Sequence, residues 1–322
     1  ERVPETRAAF ERDYDVGRVY ADHEAMLEEE SLDVVSVCTF HATHARLAVD
    51  AAEHGAGAVF CEKPMCTNLG EAREMLAAAD RNDVVLTVGH QRRFHPVHEK
   101  ARELVADGAV GDPTVATARH EHGLLNWGTH LIDLTRYVLG DPETEWVIGQ
   151  LERTTDRHER GEPIEDCCLA QVCFGTGTRL TLEMDLPGPE IDDNRIQIYG
   201  TRGRIDLEVG SKVTVHNGDG TAEYAPTLET PQRVAYVDEL LDALERGAGQ
   251  GETLHRCSGR QARHTMEIMM GLYESVRTTG PVEMPLRTLA NPLKVMLEEG
   301  DLPVEHPGKY DIRLPYAGLD EE

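Results

Sequence analysis

Lysine is scarce in this 322-residue chain: five residues, at 63, 100, 212, 294 and 309, against 59 aspartates and glutamates. The formal net charge is −27. So acidic a surface repels phosphate backbones and anionic lipid, which excludes nucleic acid and membrane surfaces as expected partners. Abundant carboxylate with little lysine suits hydration in concentrated salt, so a halophilic source is expected. No apolar run approaches the roughly 18–20 residues of a membrane span, and no secretory signal is read. The seven cysteines show no CxxC spacing, and five of them (38, 61, 167, 168, 173) fall in apolar, strand-like runs. They read as small buried hydrophobes in a reducing cytoplasm, which excludes a disulfide framework and a zinc site. Internal repeats and low-complexity segments are also missing.

What is present is alternation of strand and helix. The length favours two domains. A helix pattern over about Pro4–Tyr14 precedes Val34–Thr39 (VVSVCT), a β-branched run typical of a strand buried on both faces. An amphipathic helix over His44–His54, a strand opening Ala58–Pro64 (AVFCEKP), a helix over Leu69–Ala79 and a strand in Asp83–Gly89 follow. This order means βαβ units and a parallel sheet. After a helix over Pro96–Gly108 the pattern changes at Gly111-Asp112-Pro113. From 113 to about 218 the runs alternate with period two, as in Leu180, Leu182 and Met184 against Arg179, Thr181 and Glu183, which marks an antiparallel sheet. A helix over Gly128–Leu139 interrupts it, and helices over Val234–Arg246 and Gly259–Thr279 close it. Four prolines beyond Pro285 (292, 303, 307, 315) predict a tail wrapping the surface. The expectation is α/β: a parallel-sheet domain over 1–112 and a second domain with a large, mostly antiparallel open sheet over 113–322.

Two stretches carry chemistry. Ligands of open parallel sheets sit at the carboxyl ends of strands, where Glu62 and Lys63 stand before a proline that restricts the lysine backbone. Read alone, a surface Glu-Lys pair after a strand is the stronger reading. In Asn126-Trp127-Gly128-Thr129-His130-Leu131-Ile132-Asp133, the spacings of four and three place 126, 130 and 133 on one side of a helix. An amide and a carboxylate one turn either way can fix a histidine tautomer and leave its other nitrogen as a general base. A hydrogen-bonded polar face at a domain junction is the other reading. The pairs His41/His44, His95/His98 and His120/His122 have ligand-like spacing. None is joined by a cysteine or carboxylate in a metal-binding pattern, and 15 histidines give such pairs by chance. No metal is expected.

In order, EKP after a strand, VGHQRRFHP after the next, and GTHLIDLTRYVLG opening a helix resemble the Gfo/Idh/MocA oxidoreductases. Tyr273-Glu274-Ser275 followed by Pro281–Leu286 is similar to that family's closing pattern. The likeness covers roughly residues 1–286. It implies a Rossmann-type domain binding NAD or NADP and a C-terminal α/β domain carrying the substrate pocket and often an oligomer interface. The expected activity is hydride transfer between the nicotinamide and a sugar, inositol or related polyol. By the same resemblance Lys63 polarises the reacting oxygen, His130 exchanges its proton and Asn126 holds His130. Thr39, His44, Glu62 and Gln91, with Lys63, line the cofactor side. His44 reads equally as an exposed helix-start residue, and Arg92 and Arg93 as contacts to substrate or to a neighbouring subunit.

Two departures matter. The sequence has no GxGxxG turn, and Glu1-Arg2-Val3 resembles the stretch after the family's second strand, where an acid meets the adenosine ribose. The first β-α-β unit is therefore expected to be missing, with weak or no dinucleotide binding and an inactive chain among the expectations. Asn126 stands where many members have aspartate. Alternatives to the dehydrogenase are a redox-assisted glycosidase of the same fold and a non-catalytic sugar or cofactor sensor. The Lys63–Pro64 bond is expected to be cis, and a dimer or tetramer, located in the cytoplasm, is expected to cover one face of the large sheet.

Overall fold

The computed structural model describes residues 1–186, 194–246 and 255–308. Two helices come first. Helix α1 (Pro4–Asp13) buries no residue. Helix α2 (His23–Glu29), absent from the sequence expectation, buries only Leu27 and is capped by Asp22, whose carboxylate accepts from the Glu24 amide.

The parallel sheet has the order β1-β2-β3, with β1 (Val34–Val37), β2 (Ala58–Cys61) and β3 (Val85–Val88). Helices cover it: α3 (His44–Glu53) and α4 (Leu69–Asn82) turn alanine-rich faces inward, burying Ala48, Ala51, Ala72 and Ala78. Asn68 starts α4 by accepting from the Glu71 amide, and Asp83 ends it in the left-handed region at φ 55°. Helix α5 (Pro96–Ala106) completes this part.

Strand β4 (Pro113–His120) opens the second sheet and is followed by a π turn over Gly123–Gly128 and helix α6 (Thr129–Val138). The remaining strands are β5 (Thr144–Glu152), the small hairpin β6 (His158–Glu159) and β7 (Glu162–Pro163), β8 (Cys167–Phe174), β9 (Arg179–Met184), β10 (Arg195–Gly200), β11 (Gly203–Glu208), β12 (Lys212–Asn217) and β13 (Gly220–Tyr224). Helices α7 (Gln232–Glu245) and α8 (Gly259–Thr278), strand β14 (Val282–Glu283) and helix α9 (Pro292–Glu299) follow. The nine-stranded order is β13-β12-β11-β10-β4-β9-β8-β5-β14, antiparallel at every pairing except β4 with β9. Alternation works as expected: Leu180, Leu182 and Met184 are fully buried while Arg179 faces solvent. Helix α8 crosses the inner face and approaches β5 closely at Gly149, where a Cβ would stand 2.7 Å from Leu272 Cγ.

Residues just before α8 return to the parallel sheet. The Val88 amide donates to Cys257 O at 2.9 Å, and Tyr236 Oη donates to Val88 O at 3.1 Å. The expected wrapping tail is in part a helix. Pro292 occupies the first turn of α9, where its missing amide costs nothing, Asn291 caps it, and Leu293 and Met296 are buried. Lys309 and Pro315 lie outside the described residues. Cys38 also departs from expectation: it is exposed, because β1 ends one residue before it, while the other six cysteines are buried.

Candidate active site

The carboxyl ends of β1, β2 and β3 lie side by side, held by Glu62 N donating to Val37 O at 2.9 Å and Gly89 N donating to Cys61 O at 2.8 Å. The Lys63–Pro64 bond is cis, as expected. His44 is not a surface residue. It is buried, with Nδ1 2.9 Å from Pro64 O and Nε2 3.0 Å from Thr39 O; burial lowers its pKa, and the neutral ring, with one N–H, donates to one of these two carbonyls. The ring is a clamp on the Lys63 turn. Lys63 sends its ammonium to the second half of the chain, donating to Asn126 Oδ1 at 2.7 Å and to Asn126 O at 3.0 Å.

Asn126 therefore holds Lys63 rather than His130, a correction with a simple cause. An ammonium outcompetes an imidazole for the amide oxygen because the hydrogen bond is charge-assisted. Asp133 does not orient His130 either. Its carboxylate takes both Arg93 Nε (2.8 Å) and Nη2 (2.7 Å), with His90 Nδ1 at 3.4 Å. Burial would raise the Asp133 pKa, but Arg93 and His90 outweigh it and hold the group below its ordinary value. Arg93, 1% exposed, also meets Asp141 at 2.9 Å and Arg256 O at 3.1 Å, so it is a structural cation.

The amide cluster rests on a strained turn. His122 (φ 75°) and Gly123 (φ 78°) enter the π turn with positive φ, and both amides donate to Asp185, at 2.8 and 2.6 Å. The next amide, Leu124 N, donates to Glu165 Oε1 at 2.7 Å, and the other oxygen of Glu165 accepts from Tyr273 Oη at 2.5 Å. Glu165 is fully buried, which pushes its pKa up, while these two donors pull it back. Nothing in the sequence singles out either acid. Glu165 lies 39 residues after Asn126 in an unremarkable strand-leading segment, and only the sheet brings it beneath the turn.

His130 is buried beside Trp127 and His90, both with ring centroids 6.0 Å from its own. Its Nδ1 has no hydrogen-bond partner among the described residues. Burial lowers its pKa well below 6.5, and the positive groups Lys63 and Arg92 lower it further. It is neutral at neutral pH and able to accept a proton. His90, Nε2 3.1 Å from Thr129 Oγ1, is also held neutral by burial, at about 4.

Of the other expected residues, Thr39 is exposed and shares a 2.7 Å hydrogen bond with Thr43 Oγ1. Glu62 accepts from the Lys63 amide at 3.1 Å and turns toward Gly89. Gln91 is half-buried at the start of a 3-10 turn (Gln91–Phe94) after β3. Glu1 is exposed and accepts from the Val3 amide at 2.8 Å. His41, just after β1, is 2% exposed, and neither ring nitrogen has a hydrogen-bond partner among the described residues. Unspent buried capacity of this kind, two residues after Thr39 at the carboxyl end of a parallel strand, fits a polar cofactor.

The three histidine pairs do not converge as ligands. His98 spends Nδ1 on Arg92 O (2.6 Å) and Nε2 on the Gly210 amide (2.9 Å), and His95 caps α5. His120 stacks on Trp127 at 4.1 Å. Among the described residues one trio brings ligand atoms together, His23, Glu24 and Asp50; Asp50 pairs with His23 at 2.8 Å and Glu24 with Arg46 at 2.6 Å.

Residues 1–90 match the oxidoreductase family's NAD-binding Rossmann fold, and residues 104–284 match its C-terminal α/β domain. The chain belongs to the Gfo/Idh/MocA oxidoreductase family. Within that family it is 33% identical over 319 residues to D-glucoside 3-dehydrogenase of Escherichia coli, covering 88% of each chain. It is 24% identical over 306 residues to D-apiose dehydrogenase of Paraburkholderia graminis, covering 84% of this chain and 78% of that one. Levoglucosan dehydrogenase, solved with NADH and levoglucosan, superposes with a TM-score of 0.76 at 20% identity over 89% of each chain. That likeness shows the shared Gfo/Idh/MocA fold. Among the described residues no helix is long and apolar enough to cross a membrane.

Proposed function

We propose that the chain oxidises a secondary alcohol of a sugar, inositol or related polyol, using NAD or NADP. The observation that carries this reading is the meeting of Lys63 with the Asn126–His130 segment at the carboxyl edge of the parallel sheet. The Lys63 ammonium donates to the substrate oxygen and favours the charge that develops on it. His130, neutral and with a free nitrogen, takes the hydroxyl proton as the C–H electron pair leaves. The bound nicotinamide supplies the hydride acceptor. Asn126 fixes the ammonium, and His44 fixes the turn that presents it. Thr39, Glu62 and Gln91 form the cofactor wall, and Glu1 is assigned to the adenosine ribose. The division into 1–112 and 113–322 gives each domain one of the two reacting side chains.

The names of the relatives, dehydrogenases of glucosides and apiose, support a sugar substrate. Exposed Val115, Ile148 and Leu169 on the outer sheet face support a homo-oligomer. Free cysteines support a reducing cytoplasm, and the charge of −27 supports a salt-rich one. The test is reduction of NAD or NADP by the purified protein over a panel of aldoses, glucosides and inositols, at low and molar salt. Accumulating reduced nicotinamide is the expected result. Hydrolysis of a glucoside with no net reduction would replace this reading with the glycosidase, and binding without either would replace it with a sensor.

A further inference from the structure

The two adjacent arginines of the GHQRRFHP stretch have opposite surroundings. Arg93 is neutralised by Asp133 and Asp141. Arg92 pairs with no carboxylate among the described residues, in a chain with 59 of them. Its Nη1 is buried without a hydrogen-bond partner, and its guanidinium lies 4.5 Å over the Trp127 ring. A buried, unpaired donor on a permanent cation is costly. Its backbone is fixed in place: His98 accepts the Gly210 amide on one nitrogen and bonds Arg92 O with the other, tying this segment to the second sheet. The indole beneath Arg92 also stacks on His120 and reaches His130. The cation thus stands close enough to His130 for its charge to act on that ring. Asn126, being an amide, adds no negative charge to the pocket where it meets Lys63.

We propose that the substrate of this site carries a carboxylate, received by the Arg92 guanidinium above Trp127. The proposal rests on the reading of Lys63 and His130 as the pair at the reacting oxygen. Lys63 is committed to that oxygen, so Arg92 is the cation left for a charged group, and one guanidinium matches the single charge and planar fork of a carboxylate. The substrate class is a sugar acid, an aldonate or uronate, oxidised at a hydroxyl-bearing carbon. One C–H electron pair passes as hydride to NAD(P)+, the O–H proton passes to His130, a carbonyl forms, and the carboxylate is unchanged. Burial without a counter-charge already lowers the Arg92 pKa to about 10, a strain that a bound carboxylate would relieve.

The test compares glucose, gluconate, glucuronate, a hexose phosphate and myo-inositol, by turnover and by binding. Binding is read from Trp127 fluorescence in a Trp146→Phe background, since these are the two tryptophans of the chain. The acids should exceed glucose by about 10²-fold in kcat/KM and in binding, the usual worth of a desolvated charge pair. Arg92→Gln should bring the acid-to-glucose ratio of kcat/KM down to about one, mainly through KM for the acids; Arg92→Lys should restore part of it. If Arg92→Gln does not fold, Arg92→Lys and the wild-type comparison of matched acid and neutral sugar decide. Equal handling of gluconate and glucose, preference for the phosphate, or equal loss on both in Arg92→Gln would overturn the proposal. If no compound reduces the nicotinamide yet an acid titrates Trp127 through Arg92, the dehydrogenase reading falls and the carboxylate site stands. Good turnover of neutral sugars with no acid preference would remove the carboxylate site and leave the dehydrogenase standing.

Discussion

The ammonium of Lys63 lies 2.7 Å from Oδ1 of Asn126, joining the end of the middle parallel strand to the π turn that leads into α6. Everything expected of the site turns on which of two neighbours, Lys63 or His130, that amide serves.

Removing Lys63 or His130 by alanine should lower kcat by about 10²–10⁴-fold each, the range for a positioned acid–base group. The double variant should lose far less than the product, because groups acting on one oxygen are not additive. Cofactor affinity should barely change. Steady-state kinetics with a dinucleotide titration checks all three statements, and full activity in either single variant would remove that residue from the mechanism.

Asn126→Asp should pair with Lys63 and place a negative charge one turn before His130. Proton binding to the histidine is then favoured, and its pKa rises from its depressed position. The pH at which oxidation switches on should move upward, because the base must be unprotonated to act. A pH–rate profile that does not move would show that His130 is not the titrating group.

Stability should fall on acidification partly through His41. Burial, then the neighbouring His44, Arg160, Lys294 and Lys63, lower its pKa to about 4. The unfolded chain, near 6.5, binds the proton first, so stability is intact above about 6.5 and drains away down to about 4. His41→Met should reduce the stability difference between about pH 7.5 and 5 by about 2 kcal/mol. Urea unfolding at constant salt measures it, and an unchanged difference would mean the ring is not held neutral.

Tyr273→Phe should cost about 1–3 kcal/mol by depriving the buried Glu165 carboxylate of a donor. It should also lower kcat, since Glu165 anchors the first turn of the Asn126 segment. Thermal melts and kinetics on one preparation test this, and a destabilised variant with normal kcat would confine Glu165 to stability.

Leu169→Glu on β8, 44% exposed on the outer face, should convert an oligomer into a monomer without lowering the melting temperature of the subunit. Sedimentation at micromolar concentration decides it. A wild-type monomer would remove the interface altogether.

Period and order make most of the fold legible. Unbroken apolar runs announce parallel strands, although β1 is an edge strand with Ser36 exposed rather than buried on both faces, and strict alternation such as Leu180-Thr181-Leu182 announces a one-sided sheet. What stays hidden depends on distance in the chain. The single parallel pairing of β4 with β9 joins runs about sixty residues apart, and nothing local encodes it. Helix α2 escapes notice because it buries one residue and so has no apolar stripe. At the site, Lys63 and His130 stand out only when EKP, VGHQRRFHP and GTHLIDLTRYVLG are read together as an ordered set. The partner of Asn126 is not, because helical spacing ranks neighbours along a helix and is blind to an ammonium arriving from another sheet. Arg92 and Arg93 are indistinguishable as letters; only Asp133 and Asp141 separate them.

Because Arg92 and Arg93 are consecutive yet one is fully compensated and the other is not, the loop between β3 and α5 is a frame-sensitive segment. Deleting one residue between Gly89 and Arg92 would carry Arg93 into the place of Arg92 and Phe94 into that of Arg93, leaving Asp133 without its fork. The loop should therefore tolerate changes of residue type at its ends more readily than any change of length. In a lineage of such sequences, gaps would be expected to stop short of it on either side.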